Sequence, residues 1–215
     1  MGLVSIQAVA SNVVIANLAL SHLGQSAVLT DFTTGTTVAD IACNLHFALC
    51  RDEMLRAARW TFATKRATGA GKSELTSSSP YYGHWQFSYT YPTDCLMMKR
   101  IVWDEVREAR IDHLQSRIPF IVDQSKIYTD QDDAIFEYTM QYTTATGFPV
   151  DFVQALSYLL ASRIAAVVTG GDPFKLMEKA YQLYKLAYGI AARNNHNEEV
   201  IDEEHDAEMI RHRSS

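Results

Sequence analysis

The sequence predicts an α+β fold: mainly a bundle of four helices, a small antiparallel β-domain inserted between the second and third, and an extended C-terminal tail. Three observations carry the prediction. Apolar residues recur at helical spacing in two separated blocks, residues 11–59 and 149–193. Between them the chain is rich in Tyr, Phe, Thr, Ile and Val, set in short runs bounded by turn residues. From Asn194 onward the pattern gives way to charge, with seven acids against two bases. That tail holds −5 of the chain's formal −6, which leaves the first 193 residues at −1. The predicted domains are therefore 1–59 with 148–193 as the bundle, 60–147 as the β-rich insert and 194–215 as an acidic arm.

Each element has a local reason. Residues 11–23 place Ile15, Ala16, Ala19, Leu20 and Leu23 at helical spacing, with Ser11 able to cap the start and Gly24 to end the turn. A loop of Thr, Ser and Gly follows over 25–36. The second helix runs from about Thr37 to Arg59, with Thr37 as N-cap. Its expected buried stripe is Ile41, Leu45, Ala48, Leu49 and Leu55, and Arg51, Asp52, Glu53 and Arg56 form a charged outer face. Trp60, directly after that helix, is expected to be buried.

Strands are expected at Trp60–Lys65, Gln86–Tyr91, Met97–Trp103, Phe120–Asp123, Lys126–Thr129 and Ile135–Tyr142. The last alternates most plainly, with Ile135, Glu137, Thr139 and Gln141 against Phe136, Tyr138, Met140 and Tyr142. Thr68–Pro80, rich in Gly and Ser, reads as a mobile loop. Helix resumes at Pro149, a residue suited to a first helical turn, and runs to about Thr169, where Gly170-Gly171 stops it. Asp172-Pro173 then caps a fourth helix reaching about Arg193, with Phe174, Met177, Tyr181, Tyr184 and Tyr188 as its aromatic stripe. Asn194-Asn195 are expected to break it.

Composition excludes several classes of function. The chain has 215 residues, 47% of them apolar, with 10 Gly and 5 Pro, so it is neither collagen-like nor wholly disordered. An acidic balance argues against general affinity for nucleic acid, which needs clustered Lys and Arg. Three cysteines, Cys43, Cys50 and Cys95, have no metal-like spacing and fit a reducing compartment. Polar residues interrupt the uncharged first thirty residues, unlike a signal peptide, and the apolar run Ala155–Val168 is short for a bilayer. No membrane anchor is expected.

No constellation predicts catalysis, a metal or a cofactor. Gly69-Ala-Gly71-Lys72-Ser73 ends like a phosphate-binding loop, but Arg66 stands where its first glycine belongs and no helix signal follows. His196, His205 and His212 lack the i, i+4 spacing of a helical metal pair. Cys43 and Cys50 lie a heptad apart in a helix, as small buried residues do. His46 and His113 have no local partner that would make either a base, and Asp132-Asp133 fall in a turn. The aromatics from Tyr81 to Trp103 have only Lys99 and Arg100 beside them, too few cations for a stacking platform on single-stranded nucleic acid.

Several segments in one order carry a resemblance. They are Ile15-Ala-Asn-Leu-Ala-Leu-Ser-His-Leu-Gly24, Arg51-Asp-Glu-Met-Leu-Arg56 with Arg59-Trp-Thr-Phe-Ala63, Tyr91-Pro-Thr-Asp-Cys-Leu96, and Phe148-Pro through Ala166 with Gly170-Gly-Asp. Over residues 10–195 the chain resembles the head-to-tail adaptor, or tail tubular protein A, family of short-tailed bacteriophages. The resemblance implies a structural protein of the virion tail and connector, assembled in the host cytoplasm. Its partners would be the portal protein, the tail nozzle protein and its own copies in a dodecameric ring. DNA would pass through without sequence-specific binding. It also implies portal docking by the C-terminal arm. There Val200, Ile201, Met209 and Ile210 are apolar anchors spaced within the charge of Glu198, Glu199, Glu203, Glu204, Arg211 and Arg213. The competing expectations are a tail completion or stopper protein of another tail type, and a tail-associated cell-wall or polysaccharide hydrolase.

Overall fold

The computed structural model describes residues 11–25, 29–32, 35–102, 118–170 and 172–197. Among them are four α-helices, α1 (Asn12–His22), α2 (Val38–Ala57), α3 (Val150–Val168) and α4 (Pro173–Asn197). The strands are β1 (Thr64–Thr68), β2 (Ser73–Glu74), β3 (Phe87–Thr90), β4 (Cys95–Val102), β5 (Ile121–Asp123), β6 (Lys126–Thr129) and β7 (Ile135–Met140). They form two small antiparallel sheets, ordered β1-β7-β4 and β2-β3-β6-β5. The fold class is α+β. The described residues divide into two compact units, one of those up to Thr64 with Thr139–Asn197, the other within Lys65–Tyr138.

In the first unit the helices start where their caps are. Ser11 Oγ accepts from Val14 N at 3.2 Å. Thr37 and Asp40 form a capping box: Asp40 N donates to Thr37 Oγ1 at 3.2 Å, and Thr37 N donates to Asp40 Oδ2 at 3.0 Å. Two orphan amides are satisfied at once. Pro149 is the N-cap of α3 rather than its first helical residue, with ψ 149°.

The third helix is the centre of this unit. Phe152, Leu156, Leu159, Leu160 and Ile164 are buried, and α1, α2 and α4 all pack on it. By length and composition α3 is apolar enough to cross a membrane. Its burial under three neighbouring helices gives that apolar surface another place.

Small polar groups tie the elements down. Asn17 clasps Leu29, accepting from its N at 2.7 Å and donating to its O at 2.9 Å. Asn194-Asn195 do not break α4. Asn195 instead donates to Arg59 O at 2.6 Å and accepts from Thr61 N at 2.9 Å, so its side chain bonds backbone far away in sequence. Trp60 is buried as expected, while Thr61–Ala63 turn as a 3-10 helix where a strand was predicted.

The α1–α3 contact makes stability depend on pH. Ser157 Oγ donates to Gln154 O at 2.8 Å, which leaves its oxygen to accept from His22 Nε2, 3.1 Å away. The imidazole also stacks on Tyr158 with centroids 4.1 Å apart. Burial lowers the His22 pKa below the ordinary 6.5. A depressed histidine pKa means that the unfolded chain takes the proton first, so this contribution is complete above 6.5 and lost as pH falls through the folded value. Thermal midpoints measured from about pH 7 to about pH 5 should decline, and His22→Gln should flatten that slope. An unchanged slope in the variant would show that other groups govern it.

In the second unit, β3 pairs with β6 in the register Phe87↔Thr129 to Thr90↔Lys126. Sequence alternation on β7 predicts one wet face, but Phe136, Glu137 and Tyr138 are all buried. The reason lies on its neighbours. Glu137 accepts from Arg66 Nε on β1 at 2.7 Å, and from Arg100 Nε and Nη2 on β4 at 3.1 Å each.

The Gly-rich stretch expected to be a mobile loop is built into this unit. Gly69 N donates to Ala134 O at 2.7 Å, and Thr90 N donates to Ala70 O at 2.9 Å. A Cβ at Gly69 would lie 2.5 Å from the Tyr89 ring, so only glycine fits there. Lys72 pairs with Asp132 and lies 4.9 Å above the Phe87 ring. Ser73–Glu74 then pair with β3 as strand β2.

The Tyr91–Leu96 element is a clasp. Cys95 N donates to Pro92 O at 3.0 Å and its thiol donates to Tyr91 Oη at 3.1 Å. Asp94 accepts from Tyr138 Oη at 2.8 Å and from Lys65 Nζ at 2.6 Å. These bonds, Lys65 first, lower the Asp94 pKa. Tyr138 moves up, chiefly through burial.

Candidate functional site

The most unusual surface belongs to α2, and it overturns the expected core. Ile41, Leu45, Ala48 and Leu49 were predicted to be buried, and all four are exposed. The buried side consists of Ala42, Cys43, Phe47, Cys50, Met54 and Leu55, so of the predicted stripe only Leu55 is inside. Arg51, assigned to the outer face, is buried too, its Nε donating to Asp52 Oδ1 at 2.8 Å.

At 100° per residue, Cys43, Phe47, Cys50 and Met54 fall on one side of the helix and Val38, Ile41, Leu45 and Leu49 on the opposite side. Those four side chains are 61, 59, 65 and 66% exposed. A row of aliphatic side chains along a helix calls for a covering neighbour, and here only the opposite side is covered among the described residues. The aliphatic row is about 17 Å long at 1.5 Å per residue. It exposes roughly 400 Å² of hydrocarbon, as large as the largest patch on a typical monomer, where such patches are often functional.

A second row lies on α4. Tyr184 is buried, and burial pushes its hydroxyl up to about 12. Met177 and Tyr188 are half-buried, while Phe174 and Tyr181, of the same aromatic stripe, are exposed. On another side of the helix Leu183, Leu186 and Ile190 are 38, 67 and 49% exposed. Lys175, Lys179 and Arg193 are exposed beside them. The outward side of α4 is thus aliphatic with a cationic border, and that of α2 is aliphatic with exposed Arg56 and half-buried Asp52 on its arc, Asp52 being bonded to Arg51 and Gln141.

The residues weighed for catalysis are placed otherwise. Cys43 and Cys50 lie on the inner side of α2, where burial drives their thiols up to about 11 and about 12. A thiol held that high is a poor nucleophile at neutral pH. His46 is half-buried on α2, and His196 is exposed in the last turn of α4. Asp132 holds Lys72, which lowers its pKa, and Asp133 sits at φ 47° in a turn. Among the described residues no three His, Cys, Asp or Glu side chains come close enough to hold a metal ion.

The aromatics from Tyr81 on serve packing in part. Tyr89 meets Phe136 edge-on at 5.4 Å, and Tyr81 lies 4.5 Å from Tyr128. Tyr82 and Trp85 line an open concavity of about 640 Å³ with Glu74, His84 and Asp130. His113, Trp103, His205 and His212 lie outside the described residues. So does the whole predicted partner-binding set: Glu198, Glu199, Val200, Ile201, Glu203, Glu204, Met209, Ile210, Arg211 and Arg213. The α2 row was missed because its spacing satisfies a buried stripe as well as a bound one; the legible signal is that α2 carries two such stripes. Comparison with protein-family models and with curated protein sequences finds no match.

Proposed function

We propose that this chain is a structural protein of a bacteriophage virion, a head-to-tail adaptor that assembles as a ring between the portal and the tail nozzle and forms part of the DNA conduit. In this reading α1–α4 are the bundle, the β-rich unit is its insert between α2 and α3, and the chain carries no catalytic duty. The observation that carries it is the aliphatic side of α2, which no described residue covers and which suits an assembly subunit better than an isolated one. The positions of the resembling segments support it. Gly24 ends α1 at φ 70°, Trp60 marks the exit from α2, Tyr91–Leu96 turn between β3 and β4, and Gly170 lies between α3 and α4. Each occupies a joint between elements.

The acidic arm completes the proposal. Its acids meet basic portal residues, and Val200, Ile201, Met209 and Ile210 fill grooves between portal subunits. Exposed ion pairs contribute little singly, so a ring of identical arms supplies the affinity by avidity. Negative-stain microscopy of the protein mixed with portal rings of the same virion should show an added annulus at the portal's tail-facing end. Deleting residues 198–215 should leave the thermal midpoint in place and remove portal from a pull-down. Undiminished occupancy by the truncated chain would move docking to the bundle, and no annulus with the full chain would refute the adaptor role.

A further inference from the structure

We propose that the concavity at the Gln86 end of the β3–β6 pair binds a neutral oligosaccharide. Tyr82 and Trp85 supply its aromatic surface, and Glu74 and Asp130 accept the hydrogen bonds of sugar hydroxyls. The proposal goes beyond the adaptor reading and does not rest on it. All of its residues belong to the β-rich unit.

Backbone bonds build the site. Tyr82 N donates to Ser79 O at 3.1 Å, and His84 N and Trp85 N both donate to Tyr81 O, at 3.1 and 3.2 Å. Gly83, at φ 82°, turns the chain between them, and Tyr82 pairs with Trp85 across the turn. Tyr81 anchors this segment: its ring lies 4.5 Å from Tyr128, and its hydroxyl donates to Asp123 Oδ2 at 3.3 Å. On the acidic side, Gln86 N donates to Asp130 Oδ1 at 2.9 Å. Leu75 N donates to Gln86 O at 2.9 Å, and Glu74 stands opposite Phe87 in the strand register. The aromatic and acidic segments are thus held in place before a ligand arrives, which lowers the ordering cost of binding.

Size and charge select the ligand. The concavity holds about 640 Å³, within the roughly 300–1,000 Å³ of sites for small organic molecules. A lone ammonium group would fill little of it, and Tyr82, 57% exposed, closes no cage around one. No Lys or Arg is among the residues that line it. Lys72, two residues before Glu74, pairs with Asp132 and lies over the Phe87 ring. Two carboxylates without a lining cation repel phosphate, sulfate and uronic acids. A pyranose satisfies both kinds of surface that remain. Its C–H face lies on an aromatic side chain, and its hydroxyls donate to carboxylate oxygens in charge-assisted bonds. Asp130 keeps room for them, because a carboxylate accepts about four hydrogen bonds.

The test follows the amide resonances of the full-length, isotopically labelled chain by NMR. The probes are maltotriose, cellotriose, triacetylchitotriose, trigalacturonate and tetramethylammonium chloride, each added to about 20 mM so that a millimolar Kd is detected. At least one of the three neutral sugars should shift the amides of Gly83, His84 and Gln86, and trigalacturonate should not. Tyr82→Ala should bind that sugar about tenfold more weakly, and Glu74→Gln more weakly than wild type. Tyr82 and Glu74 are both exposed, so thermal midpoints of the two variants should match wild type.

No shift with any neutral sugar would overturn the proposal. Tetramethylammonium alone moving these amides, and losing its effect in Glu74→Gln, would overturn it in favour of an organic-cation site. A sugar bound equally well by Tyr82→Ala would place the binding elsewhere and overturn it too. The readout needs no portal. A chain that binds sugar here but adds no annulus to portal rings would refute the adaptor reading alone, and an annulus without sugar binding would refute this site alone.

Discussion

Truncation of Trp60 to alanine is expected to destabilise the helical unit by roughly 3–5 kcal/mol, the range for large aromatic side chains removed from a core. Trp60 is 1% exposed, and its ring lies 5.0 Å from Phe152, 6.0 Å from Phe62 and 6.2 Å from Tyr188. Its indole N–H donates to Met54 O at 2.7 Å, so the variant also leaves a carbonyl near the end of α2 without that donor. Trp60→Phe keeps most of the area and loses the hydrogen bond, so its cost should be smaller by more than half. Denaturant midpoints for the two variants separate these contributions. An unchanged midpoint in Trp60→Ala would refute the energetic role assigned to this cluster.

The second large effect is expected at Glu137. Its side chain is 1% exposed and bonded to Arg66 and Arg100, whose side chains are 58 and 32% exposed. Removing one member of a buried charge pair costs about 3–5 kcal/mol, because the remaining charge is left without compensation. The guanidinium groups here keep some water, so Glu137→Gln should fall at the lower end, about 3 kcal/mol. Arg100→Met should cost less, since Arg66 still neutralises the carboxylate, and Arg66→Met least of all. A double variant with both Glu137 and Arg100 replaced by leucine should recover part of the loss, as well-packed apolar replacements of buried ion pairs do. Chemical denaturation of the four variants checks the order. If Arg66→Met proved the most damaging, the carboxylate would not be the centre of the triad.

The candidate surface and these two sites differ in how far the sequence reveals them. Trp60 was legible, because a large aromatic between a helix and a strand-rich stretch has few places to go but inward. Glu137 was half legible. Its alternation placed it on the polar face of a strand, but what covers that face comes from residues 71 and 37 positions away in the chain. The α2 surface was read inside out, and the acidic arm lies outside the described residues.

What the sequence determined by itself is local. Thr37 with Asp40, Ser11, Gly24 and Asp172-Pro173 set helix ends, because a cap bonds backbone within four residues of itself. Lys126–Thr129 was legible as a strand, and Ile135–Tyr142 as one that the structure ends at Met140, because strand composition and alternation are properties of neighbouring residues. Only the tertiary structure decided which side of α2 faces α3. Both of its stripes repeat at helical spacing and both are apolar, so periodicity assigns them equally. In the folded chain Cys43, Phe47, Cys50 and Met54 are on the buried side of α2, which packs on α3. Val38, Ile41, Leu45 and Leu49 are left outside, since one α-helix cannot turn two opposite sides to the same neighbour.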